Sequence, residues 1–459
     1  MMKIKIKISL QANISVIYYR YINKQKEKTM EKNSILEGLR ELPKHLNSKT
    51  ISSGIIAGIF GWCTALILYA NGAASGWSIQ ETSSWIFACW FLGPMLGIIL
   101  SLKYKQPIPG AWSISGAAVV VSGALAGYNL QQLCTGFLFA GIFVFILGIT
   151  GLINKTMKCL PMPIVMGMTA GCLFKFVTNI VKFLYEWNTD MSKLLNREYF
   201  VIGIFAILTY LIFTKLKVKL KVVPPILAAL MVVILCVVVL KLYDSSALVG
   251  LEFYGPKFVG YSFDNMFGVI ISVSIPLTLL VIGAENAQAI GVLESQGYNP
   301  PVQAMTILSG IGGMATSLFG GHNANVAGPM TAIVASDESG ENKDSRYAAS
   351  IVCGLFCSII GIFASIFVPF LGTVPIKLIY LIAGLAMIGV ILSSLQSAFK
   401  GNKFQMSSFF AFFIAASQKS FLGIGSAFWA LLIGMIIAGI LETEDLKEII
   451  VGKKKEELK

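Results

Sequence analysis

Glu285 is an acid inside FGVIISVSIPLTLLVIGAENAQAIGVL, a run that is otherwise almost wholly apolar. A charged side chain near the centre of a bilayer costs at least about 2.5 kcal/mol, so such residues usually face a cavity and serve function. On a helical wheel Ser274, Thr278, Glu285 and Gln288 fall on one narrow stripe, giving a greasy helix one wet face. Burial favours the neutral form of a carboxyl, which is what a proton carrier needs. Glu285 is therefore the candidate proton-coupling residue, with Asn286 and Gln288 beside it as candidate substrate ligands. Pro276 is a candidate break in the same helix, one that would shift Glu285 toward an end of the span.

Two further segments could bind an anion. IPGAWSISGAAVVVSGALAG and FGGHNANVAGPMTAIVAS are both short and interrupted by Gly or Pro, and they stand at corresponding places in the two halves of the chain. Aligned on Gly116 and Gly328, ISGAAVVVS faces VAGPMTAIV. Paired short, interrupted segments of this kind point to a transporter binding site built from half-helices. A helix N-terminus offers free N–H groups and partial positive charge, so two such ends would cradle a carboxylate. Ser113 and Ser115 precede the first half-helix, and Asn323 and Asn325 precede the second, whose first turn carries Thr331. These residue types suit substrate hydrogen bonding and also plain N-capping.

Lys175 sits mid-span in MGMTAGCLFKFVTNIVKF, with Lys182 two turns later. It is a candidate for an ion pair or for the substrate path, and snorkelling accounts for it as well. His322 is a further possible site residue; the other histidine, His45, is in the N-terminal region. Two histidines are too few for a membrane haem or His-ligated metal centre. The eight cysteines form no CxxC pair, and most lie in apolar runs where they read as small hydrophobes. Gln396 and Ser397 close an apolar run and are assigned no role. No Walker A, GxSxG or HExxH pattern is present, so neither a catalytic residue, a metal site nor a cofactor is expected. Energy would come from an ion gradient or from the substrate's own, the proton gradient being the expected coupling source.

These residues need helices to carry them, and the composition supplies them. Of 459 residues 56% are hydrophobic and 13% charged, against about a quarter charged in soluble domains. Apolar runs long enough to span about 30 Å of hydrocarbon recur along the chain, and helices are the form that satisfies its own backbone there. The expected fold is all-α and polytopic. Spans are read near 51–70, 84–102, 112–126, 132–153, 163–185, 199–216 and 222–242, then 266–290, 302–319, 325–336, 347–370, 376–396, 405–418 and 421–441. A first repeat of seven spans (50–242) and a second (265–441) flank an extracytoplasmic loop at 243–264, with tails at 1–49 and 442–459. Seven spans per half forces the second repeat to insert upside down relative to the first. With the N-terminus inside, twelve Lys and Arg fall in inner loops and six in outer ones, which predicts cytoplasmic termini. The net charge of +13 follows this loop pattern and forms no aromatic-interleaved stripe, so no nucleic-acid partner is expected. The compact lead-in EKNSILEGLRELPKHL after Met30 suggests that residues 1–29 are a gene-model extension.

PIPGAWSISGAAVV, PMPIVMGMTAGCLFKF, GAENAQAIGVLESQGYNPPV and the long stretch from SLFGGHNANVAGPM through SRYAAS occur in that order. Through these four stretches the chain resembles the benzoate:proton symporter family, a branch of the group that includes nucleobase and sulfate permeases. The resemblance implies a core domain from spans 1–4 and 8–11 and a gate domain from spans 5–7 and 12–14. Substrate would lie between spans 3, 8 and 10, and the core would slide against the gate. It also implies plasma (inner) membrane residence and a possible homodimer through the gate. At 285–286 that family typically has Gln-Asn, whereas Glu285-Asn286 is similar to the nucleobase permeases. The leading expectation is proton-coupled uptake of a benzoate-like anion. A nucleobase permease is the alternative, and a channel or non-transporting membrane sensor is the third.

Overall fold

The structure is a computed structural model that describes residues 34–152, 161–189, 194–220, 225–249, 251–419, 421–422 and 425–451. The start at Met30, the extension 1–29 and the last residues, GKKKEELK, lie outside the described residues. So do Lys155, Lys158, Lys193 and Lys221 of the loop count.

Each of the fourteen expected spans corresponds to a helix. After a short amphipathic helix α1 (Ile35–His45) come α2 (Ser48–Ala74), α3 (Ile79–Tyr104), α4 (Ile114–Leu125), α5 (Leu130–Ile149), α6 (Met162–Thr189), α7 (Leu194–Leu220) and α8 (Pro225–Val239). The second half contains α9 (Met266–Ser295), α10 (Val302–Ser317), α11 (Gly328–Val334), α12 (Tyr347–Ile362) with its continuation α13 (Ala364–Gly372), α14 (Ile376–Ala398), α15 (Gln405–Ala416) and α16 (Ser426–Leu441). A last helix, α17 (Thr443–Val451), follows. Among the described residues eight helices are long and apolar enough to cross a membrane alone.

The packing has the symmetry of an inverted repeat. α5 packs along α10 in the way that α12 packs along α3, and exchanging the two halves maps one pair onto the other. Those helices, with α2, α4, α9 and α11, form the core. α6 packs against α14 and α15, and α7 against α8, to form the gate. Because successive spans alternate in direction, the two described ends lie on one face, which we call the terminal face.

The two half-helices are held by a two-stranded ribbon. β1 (Gly110–Ala111) pairs antiparallel with β2 (Asn325–Val326), Gly110 opposite Val326 and Ala111 opposite Asn325. The Ala327 N–H adds a bond to the Pro109 carbonyl at 2.9 Å. Non-helical backbone inside a membrane protein must find such partners because lipid offers none. Close approach to α3 requires glycine: a Cβ on Gly97 would stand 2.0 Å from the Gly110 nitrogen, and one on Gly110 would stand 2.1 Å from the Gly93 oxygen.

α9 is continuous through Pro276, so the expected break does not occur. Widened π turns at Ile270–Ser274 and Val281–Asn286 absorb the irregularity. The first of them stands immediately before the proline, where an i→i−4 bond would otherwise be lost.

Among the described residues each tail contains a helix, α1 in the first and α17 in the last. Ser34 caps α1, which lies against the end of α3, where Lys105 bridges Glu37 and Glu41 at 2.8 Å each. Arg346, counted as a loop cation, is 1% exposed and donates to the carbonyls of Ala335 (2.6 Å) and Gly340 (2.8 Å). It thus satisfies the C-terminal end of α11 with a positive charge.

Candidate functional site

Glu285 lies in the second π turn of α9 and is 8% exposed. Its Oε1 accepts the Ser113 hydroxyl at 3.1 Å, and the Ile114 N–H is directed at the same carboxylate. The Ser113 Oγ also accepts the Gly116 N–H at 2.9 Å and lies 3.1 Å from the Ser115 hydroxyl. The Glu285 carboxylate is therefore seated on the N-terminus of α4, where partial positive charge and unsatisfied N–H groups favour an anion.

A cavity of about 300 Å³ opens beside it, near the lower end of the size range of small-molecule sites. The core contributes Ile114, Ser115, Glu285, Gln288 and Pro329; the gate contributes Met162, Met166 and Thr169 from α6 and Val390, Ser393, Ser394 and Ser397 from α14. α6 begins at the terminal face and α14 ends there, so the cavity lies in that half of the seam between core and gate. Its wall pairs apolar surface with hydroxyls and one acid, and no Lys or Arg lines it among the described residues.

The other expected residues stand behind this wall or elsewhere. Asn323 does not cap its own half-helix; its Oδ1 accepts the Ser113 N–H at 3.0 Å and so bridges to the first one. Asn325 donates to the Val326 carbonyl at 2.8 Å, within the ribbon. Ala327 occupies the N-cap of α11 without a side-chain bond, and Pro329 removes an N–H from its first turn. The cradle is consequently unequal: α4 brings donors, and α11 brings a proline face. Gly328 packs on Gln288, whose Oε1 would lie 2.5 Å from an added Cβ. Gly116 is tight against Leu277 and His322. Thr331 folds back on the Ala327 carbonyl at 2.7 Å.

Asn286 turns away toward Ser309 of α10, 3.3 Å distant. Ser274 and Thr278 are directed at α5, bonding the carbonyls of Gly136 (2.7 Å) and Ala140 (3.4 Å), and so do not share the cavity with Glu285. The π turns shift side chains around the axis, and an ideal wheel does not register that. His322 is fully buried. Its Nδ1 accepts from the Trp85 indole at 3.0 Å, so its Nε2 carries the proton donated to the Ser113 carbonyl at 2.9 Å. It positions Ser113 and stays in one tautomer. Lys175 lines a different cavity, on the far side of α4.

The family model described as benzoate membrane transport protein (BenE) matches residues 44–440. The chain belongs to this family. The inner membrane protein YdcO of Escherichia coli is 28% identical over 396 residues, with 85% of this chain and 95% of that protein covered. A benzoate membrane transport protein of Acinetobacter baylyi is 27% identical over 408 residues, 88% and 98% of the two chains. The solved murine Slc26a9 anion transporter, in its inward-facing state, matches in fold with a TM-score of 0.61 at 12% identity, covering 89% of this chain and 70% of that one. This family member is thus a membrane transporter with a seven-plus-seven inverted repeat, and not an enzyme.

Thr169, Ser393 and Ser394 were not singled out by the sequence, and Ser397 was assigned no role. The cluster SSLQS at the end of an apolar run was the one visible signal for the serines. Interfacial serines are common there, and only the packing of α14 against the seam turns three of them inward.

Proposed function

We propose that this chain carries a small aromatic carboxylate, benzoate or a close relative, across the plasma membrane together with a proton, with both termini in the cytoplasm. The observation that carries this reading is the seat of Glu285 on the N-terminus of α4. An ionised Glu285 occupies the anion position and repels a second carboxylate. Protonation removes that charge and releases the first-turn donors of α4 to the substrate. Proton and anion then load together, with no arginine or lysine among the described residues of the site. Met162, Met166, Val390 and Pro329 offer apolar surface to a ring, while Ser115, Gln288 and the serines of α14 offer hydrogen bonds. The name of the Acinetobacter relative supports the aromatic acid. A site at the seam between core and gate fits movement of one against the other.

Thermal stabilisation of the purified protein tests the substrate, because a ligand bound only by the folded state raises Tm by mass action. Benzoate-like acids are expected to raise Tm, more at mildly acidic than at neutral pH. A shift with uracil or xanthine and none with benzoate would replace this reading with a nucleobase permease, Glu285 then being a ring ligand. Accumulation of benzoate in proteoliposomes under an imposed pH gradient tests the coupling.

A further inference from the structure

A second cavity, of about 240 Å³, lies in the same seam on the side away from the terminal face. α4 separates the two: Ile114 and Ser115 face the first, and Ala118 and Val121 face the second. From Ser115 to Val121 is roughly 9 Å of helix rise. The chemistry of the second cavity is opposite to that of the first. It holds Lys175 and Lys182, two turns apart on α6, and no acid lines it among the described residues. Lys175 has no carboxylate partner among the described residues. Asn71, from α2, also lines it; the residue is 2% exposed, and its Nδ2 is buried with no hydrogen-bond partner. A native structure rarely leaves such a donor unpaired without a reason. Phe176 and Tyr380 present aromatic surface beside these polar groups.

We infer that this cavity is a second anion site, in which Lys175 and Asn71 hold the carboxylate of an organic acid before it passes along α4 to the Glu285 cavity. The inference rests on the proposed function for the identity of the acid. A lysine supplies a charge that attracts anions from the outer solution, and the seam then hands them to a site with no fixed cation among its described residues. Asn71 supplies a directed N–H. The ring lies against Phe176 and Tyr380.

Ala74 lines the same cavity and is exposed, so Ala74→Cys in the full chain places a reporter thiol there. In reconstituted protein, an anionic membrane-impermeant methanethiosulfonate should modify it about fivefold faster than a cationic one, after subtraction of the rate in the parent chain. Millimolar benzoate should slow the anionic reagent. Lys175→Gln should lower the rate ratio, Lys182 keeping part of it, and should abolish the protection, whereas Lys175→Arg should keep both. Equal rates for the two reagents, no protection by benzoate, or protection that survives Lys175→Gln would each overturn the inference. Protection by inorganic phosphate and not by benzoate would overturn it too, by assigning the cavity to a phosphate or lipid headgroup. Benzoate transport is scored separately. Protection without transport removes the proposed function and leaves the outer site; transport without protection does the reverse.

Discussion

Ser113 joins the two halves of the site, giving its hydroxyl to Glu285 at 3.1 Å while its own N–H is held by Asn323 at 3.0 Å. One residue at the start of the first half-helix thus touches both the acid of α9 and the loop before the second half-helix. The proton-carrying group and the anion-binding helix end are one contact, and the behaviour of the transporter follows from that.

Glu285→Gln is neutral at every pH and cannot carry a proton. Benzoate counterflow between two loaded compartments is expected to persist, because exchange needs no net proton movement. Accumulation driven by a pH gradient is expected to vanish. Proteoliposome flux with and without the gradient checks this, and a variant that still accumulates benzoate would remove Glu285 from the coupling.

Ser113→Ala removes the N-cap of α4. Loss of such a cap costs about 1 kcal/mol, and the unfolding transition of the purified protein should fall accordingly. Ser113→Thr keeps the hydroxyl and should restore most of it.

Gly97→Ala would place a Cβ 2.0 Å from the Gly110 nitrogen and push β1 away from α3. Overpacking of this kind costs about 1–3 kcal/mol, and here it also disturbs the ribbon that positions both half-helices. Gly389→Ala in α14 meets nothing within 4 Å and is expected to leave stability and transport unchanged. Thermal unfolding and benzoate uptake of the pair measure the contrast.

The contact of α1 with Lys105 should depend on pH. Lys105 hydrogen-bonds Glu37 and holds its carboxyl below its ordinary value of 4.5, while Lys105 itself is raised above 10.5, Glu37 and Glu41 outweighing the desolvation that opposes them. A depressed acid stabilises docking above its unfolded value and loses that effect as pH falls through the folded one. A raised lysine stabilises docking below 10.5 and loses the effect as pH rises beyond it. Hydrogen exchange in residues 35–45 should therefore quicken, relative to the intrinsic rate, as pH falls below 4.5. Lys105→Met should show the same faster exchange at neutral pH.

Hydropathy marked the fourteen spans because the bilayer imposes a length on each helix, and length and apolar run are one-dimensional properties. The inverted repeat followed from an odd number of spans per half. The half-helices and Glu285 were visible for the same reason: glycine, proline and an acid are costly where lipid surrounds the chain. What α4, α9 and α11 do with those residues was decided by tertiary structure. Pro329 deprives α11 of a donor, and Asn323 reaches back to Ser113. Two π turns in α9 direct Ser274 and Thr278 to α5, leaving Glu285 at the cavity. Ser393, Ser394 and Ser397 line one cavity with Glu285 across more than a hundred residues of chain, through the packing of α14 against the core. Lys175 and Thr169 share α6, yet α4 lies between the cavities they line. Side-chain direction and contact across a seam are properties of packed helices, and no local pattern in the chain encodes them.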